Sequence, residues 1–102
     1  MKIEARGEGE IEFTILGSVH GDEPAGKKAI EKILEKDYDF RKAVKFIVVN
    51  EEALEQDERF LDTDLNRSFS GDIDSDQMEE RLAAKLLSEI GDSKVLDIHT
   101  TH

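Results

Sequence analysis

The chain has 102 residues, no cysteine and a formal net charge of −11. That length accommodates one small domain or part of a larger one, and the missing thiols exclude disulfides, thiolate zinc fingers and cysteine nucleophiles. The acidic balance disfavours nucleic acid and anionic membrane surfaces as partners, because their phosphates would be repelled.

Ile3 and Ala5, then Ile11, Phe13 and Ile15, alternate with polar residues, which is the period of half-buried strands. Gly7-Glu8-Gly9-Glu10 between them predicts a turn, so the chain is expected to start with a β-hairpin. Acid and glycine stand near the start, where a signal peptide needs an apolar run, and no stretch approaches the roughly 20 apolar residues of a membrane helix. A soluble cytoplasmic protein is the expectation. After Leu16-Gly17-Ser18-Val19 comes the loop His20-Gly21-Asp22-Glu23. Pro24 suits the first turn of a helix, and Ala25, Ala29, Ile30, Ile33 and Leu34 mark its apolar face to about position 36.

Residues 43–49 read as a buried strand centred on Phe46-Ile47-Val48-Val49. Residues 51–71 lack clean periodicity. Such a length without regular structure inside a compact domain goes with function. A second helix is expected over residues 75–90, with Met78, Leu82, Leu86 and Ile90 along one stripe. Asp74, Ser75 or Asp76 would cap its start, and Gly91 would stop it. Lys94-Val95-Leu96-Asp97-Ile98 is the last strand.

Strands alternating with helices predict an α/β fold, a parallel or mixed sheet with helices on its faces, as a single domain over residues 1–102. In such sheets ligands gather beyond the carboxyl ends of the strands. His20 follows the second strand and His99 the fourth, so parallel strands would bring both histidines to one edge. With Glu23 they make the donor set of a catalytic zinc ion, three protein ligands with a fourth position open. Plainer readings stand beside this one. A His-x-x-Glu pair arises by chance in a glutamate-rich chain, and a histidine at a strand end is often a structural group. Asp97 projects to the same side as His99, where it either accepts a hydrogen bond that orients the imidazole or is an ordinary strand-end carboxylate. His102 is read as solvent-facing or end-frayed. In the long loop, Arg59, Asn66 and Arg67 offer a grip for a carboxylate, or the two arginines pair with Asp62 and Asp64 to stiffen it. Phosphate-loop readings fail: Gly26-Lys27-Lys28 lacks the hydroxyl of a Walker loop, and no glycine at position 12 completes Gly7-x-Gly9.

His20-Gly21-Asp22-Glu23-Pro24, Asp64-Leu65-Asn66-Arg67-Ser68-Phe69 and Asp97-Ile98-His99-Thr100-Thr101 follow one another as in the succinylglutamate desuccinylase/aspartoacylase family. These are zinc hydrolases related to the metallocarboxypeptidases, and the chain resembles their amino-terminal portion. The resemblance implies a zinc-carboxypeptidase-like domain with one Zn2+ ion held by His20, Glu23 and His99. It implies that Arg59 points at the scissile carbonyl, and that Asn66 and Arg67 bind the carboxylate of an N-acyl amino acid whose amide is cleaved. Glu51 and Ser70 stand where the family often has proline, which bears on loop stiffness more than on chemistry.

By the same resemblance the general-base glutamate would lie beyond His102, with Asp22 and Asp62 as weaker substitutes. A sheet cut after its fourth strand would expose a face through which two copies could pair. The alternative from a different class is a non-catalytic zinc- or carboxylate-binding module.

Overall fold

Ile15-Leu16 and Phe46-Ile47-Val48 put apolar side chains on both faces of their strands, and such runs are stable only when both faces are covered. They form the middle of the structure, a computed structural model that describes residues 1–99. Strands β1 (Lys2–Arg6), β2 (Ile11–Gly17), β3 (Ala43–Val48) and β4 (Lys94–Ile98) make one mixed sheet in the order β1-β3-β2-β4. The central strands β2 and β3 run parallel, and β4 runs parallel to β2 on its other side. Helices α1 (Pro24–Glu35), α2 (Glu51–Glu55) and α3 (Met78–Ile90) complete the fold, with a 3-10 turn at Leu65–Arg67. The α/β architecture read from the sequence is the one observed. Thr100, Thr101 and His102, and with them the reading of His102 as solvent-facing or end-frayed, lie outside the described residues.

Neighbouring side chains of β3 serve opposite faces. Phe46 and Val48 pack with Ile30 of α1, whereas Ile47 packs with Leu16, Leu82 and Leu86 on the α3 side. Burying one such side chain stabilises by about 1.5–3 kcal/mol, so the alternation fixes the sheet between its two helical layers. The N-terminal turn of α1 sits directly against the end of β2. A Cβ on Gly17 would lie 2.8 Å from the backbone of Gly26, so both glycines serve close approach.

The expected hairpin does not form. β1 pairs antiparallel with β3 and is separated from β2 by it. Residues 7–10 instead carry the chain across the start of β3, where a Cβ on Gly7 would lie 2.6 Å from the Lys42 carbonyl. Both edges of β2 are taken by strands that extend the sheet in parallel. The charge-bearing β1, with Lys2, Glu4 and Arg6, is suited to an edge.

Two further differences concern the long connection and the second helix. Residues 51–71 contain α2, capped by the Asn50 side chain, which accepts a hydrogen bond from Ala53 N (3.3 Å). Helix α3 starts at Met78, and none of Asp74, Ser75 and Asp76 caps it. That role falls to Asp62, whose carboxylate accepts the Met78 N–H at 2.7 Å. Asp72 and Ser75 spend their side chains on the preceding turn, accepting from Asp74 N and Gln77 N. Among the described residues β4 is an edge strand, with Val95 47% and Leu96 60% exposed.

Candidate metal centre

The site begins where β2 ends. Ser18 has φ 54°, a conformation that non-glycine residues rarely adopt, and its hydroxyl holds it there. Ser18 Oγ donates to the Glu23 carbonyl (2.7 Å) and accepts from Lys27 N (3.2 Å), tying the strand end to the first turn of α1. The loop between them is drawn inward, so that His20 and Glu23 are each only 3% exposed. Gly21 lets a second segment close over this loop: its N–H donates to the Arg59 carbonyl at 3.0 Å.

Parallel pairing of β2 with β4, with Gly17 opposite Ile98, delivers His99 to the same end of the sheet. The two imidazole rings stand 6.0 Å apart. His20 Nδ1 lies 2.7 Å from one Glu23 carboxylate oxygen and His99 Nδ1 lies 3.4 Å from the other. The candidate ligand atoms of His20, Glu23 and His99 all fall within 4.8 Å of one another. The opposite nitrogens are engaged elsewhere, His20 Nε2 with Asp64 (2.8 Å) and His99 Nε2 with Asp97 (2.8 Å). An imidazole that donates through Nε2 presents its Nδ1 lone pair. Two such lone pairs and a carboxylate thus converge on one point. This donor set fits a small divalent cation, for which bonds of about 2.1 Å put tetrahedral ligand atoms about 3.4 Å apart.

Electrostatics separates the two outer carboxylates. Burial opposes ionisation of Asp64, but hydrogen bonds with His20 and Asn66 N, together with the charges of His20 and Arg59, hold its carboxyl below the usual range. Asp97 is pushed up, chiefly by burial and further by the Glu23 charge, against the pull of His99 and His20. Arg59 stands at the mouth, 45% exposed, with guanidinium nitrogens 3.7 Å from Glu23, 3.8 Å from Asp22 and 3.9 Å from Asp64. Asn66 and Arg67 lie on the 3-10 turn immediately after Asp64 and are exposed. Arg67 has no ion-pair partner among the described residues.

Two of these roles are not carried by the sequence motifs. In the sequence Asp64 opens the second motif with no role beyond pairing with arginine, yet its carboxylate reaches across 44 positions to His20. Glu79 belongs to no motif, although it is fully buried and accepts four hydrogen bonds, from Asn50 Nδ2, Leu61 N, Asp62 N and Thr63 N. A signal for it exists: Glu79, Leu82, Ala83 and Leu86 recur at the spacing of one helical face, so the pattern places a carboxylate on the core side of α3.

Burial alone would raise the Glu79 carboxyl, but the three backbone N–H groups and the Asn50 amide outweigh it and hold it below its ordinary 4.5. A depressed folded value contributes stability that is complete above the unfolded value and lost as pH falls through the folded one. Acid titration of wild type and Glu79→Gln, followed by circular dichroism, is expected to show a steeper loss of stability below pH 4.5 in wild type than in the variant. Parallel slopes would refute this.

The succinylglutamate desuccinylase/aspartoacylase catalytic domain model matches residues 11–102. The chain belongs to this family. No curated protein sequence matches it significantly. Solved structures of the family share its fold. The succinylglutamate desuccinylase/aspartoacylase of Rhodobacter sphaeroides is 29% identical with a TM-score of 0.83, and the match covers 96% of this chain and 33% of that one. Succinylglutamate desuccinylase of Vibrio parahaemolyticus is 24% identical (TM-score 0.72, 97% and 40% covered). Murine aminoacylase 3 is also 24% identical (TM-score 0.71, 92% and 36% covered). The chain therefore spans between a third and two fifths of the length of these family members. Among the described residues no helix is long and apolar enough to cross a membrane.

Proposed function

We propose that this chain carries the metal shell and the carboxylate clamp of a zinc-dependent hydrolase that cleaves the amide of N-acyl amino acids. One observation supports this above the rest: two imidazole Nδ1 atoms face the two oxygens of a buried Glu23 carboxylate, with Arg59 alongside. One Zn2+ ion held by His20, Glu23 and His99 would polarise the scissile carbonyl and lower the pKa of a water molecule toward about 7. Asp64 and Asp97 keep the imidazoles in the tautomer and orientation that this requires. Arg59 supplies positive charge where the carbonyl oxygen becomes negative. Asn66 and Arg67, exposed one turn away, grip the substrate carboxylate and so fix the amide in place.

The attack also needs a carboxylate base within hydrogen-bond reach of the water. Asp62 is occupied at the start of α3 and Asp22 faces Arg59, so neither is assigned that step. The same reading makes the protein cytoplasmic, and the exposed Val95 and Leu96 on the β4 edge support pairing with a second copy.

The test combines metal analysis with hydrolysis of N-succinyl-L-glutamate and N-acetyl-L-aspartate by the zinc-loaded protein. Arg59→Ala should keep its zinc and lose about 100-fold or more in kcat/KM, the scale for removal of one oxyanion-stabilising group. Undiminished hydrolysis by that variant would remove Arg59 from the chemistry. Zinc and ligand binding without turnover, in a form extended past His102 as well as in this chain, would instead support the non-catalytic module.

A further inference from the structure

The carboxylate of Glu79 has about four acceptor positions, and all four are filled. Oε1 takes Asp62 N (2.8 Å) and Thr63 N (3.0 Å), and Oε2 takes Leu61 N (3.0 Å) and Asn50 Nδ2 (3.0 Å). These three consecutive backbone N–H groups have no other acceptor among the described residues. The clasp is reciprocal, since Asp62 in turn accepts Met78 N from the first turn of α3. Asn50 extends it to the strand ends, donating its own N–H to Ser18 O at 3.1 Å. The segment held in this way is flanked by the residues that meet the metal centre: Arg59 two positions before it, Asp64 directly after it.

We propose that Glu79 is the positioning residue of the carboxylate clamp, pinning residues 61–63 to α3 and thereby fixing Arg59 and the Asp64–Arg67 turn beside the two histidines. This rests on the reading of Arg59, Asn66 and Arg67 given above. A carboxylate is required because four donors converge on it. Glutamine would present an NH2 group to at least two of them, leaving buried donors unpaired. Glu79 acts on the clamp without belonging to the metal shell, so the two functions should separate on substitution.

Glu79→Gln is compared with wild type and with Phe46→Leu, a core change on the opposite face of the sheet. Three quantities are read on the zinc-loaded protein: zinc stoichiometry, affinity for N-succinyl-L-glutamate by calorimetry, and amide hydrogen exchange. In Glu79→Gln, exchange at residues 61–63 should accelerate about tenfold or more relative to residues 46–48, and ligand affinity should fall by a similar factor. Zinc stoichiometry should stay unchanged. Phe46→Leu should loosen the core without singling out residues 61–63. The proposal is overturned if exchange in Glu79→Gln rises uniformly or not at all, or if ligand affinity survives the local loosening. A wild-type protein that binds zinc but no N-succinyl-L-glutamate would sink the functional reading instead. The exchange comparison then decides by itself whether Glu79 holds the segment.

Discussion

His20→Ala is expected to abolish stoichiometric zinc binding while leaving the sheet and helices folded. His20 contributes one of only three protein donors, and its Nδ1 lies 2.7 Å from the Glu23 carboxylate it shares the site with. Removing an outer partner of a metal ligand costs about 10–100-fold in affinity, and removing the ligand itself should exceed that range. Asp64→Ala supplies the comparison. It keeps all three donors but frees the His20 ring, whose Nε2 is otherwise held at 2.8 Å, and so should fall within the milder range. Equilibrium dialysis with metal analysis measures both. Full zinc occupancy in His20→Ala would eliminate the metal centre as drawn, and an ordering with Asp64→Ala the worse of the two would reassign the ligand.

Gly21→Ala should be the most damaging small substitution in the chain. An added Cβ would lie 2.6 Å from the Ala53 Cβ and would also press on the Glu58 carbonyl, which is backbone and cannot rotate aside. Overpacking against a fixed backbone costs about 3 kcal/mol or more, and in a domain of this size each kcal/mol lowers Tm by about 4–8 °C. A fall of more than about 12 °C in a thermal melt is therefore expected. The damage reaches the site as well, because Gly21 N–H holds the Arg59 carbonyl at 3.0 Å. Relief of the clash moves the segment that carries Arg59 away from Glu23, so zinc-dependent ligand binding should weaken even below the melting temperature. A melt within about 3 °C of wild type would show that the two segments separate at little cost.

Much of the candidate site is legible in the amino-acid sequence, because its residues fall in short motifs tied to element ends. Glycine and proline around His20 mark a tight turn after a strand, and the apolar run before His99 marks another strand end. What the motifs do not state is which nitrogen of each histidine is presented. That follows from Asp64 and Asp97 engaging the Nε2 atoms, and the Asp64 contact spans 44 positions. Glu79 is hidden for a related reason. A glutamate in an amphipathic helix is ordinarily solvated, and the three N–H groups arriving from residues 61–63, with the Asn50 amide, make its burial tolerable.

By itself the sequence determined the local elements: the last strand at Lys94–Ile98, a helix opened by Pro24, a buried strand from Ala43, and a helix that ends before Gly91. Each of these rests on periodicity or on turn chemistry, which act over a few neighbouring residues. Strand order, the antiparallel seat of β1 beside β3 and the capping of α3 by Asp62 were decided only by the tertiary structure. Alternation says that a strand has two faces and is silent on which strand lies beside it. Pairing is settled when the apolar strands compete for the covered middle of the sheet, and that competition involves the whole chain at once.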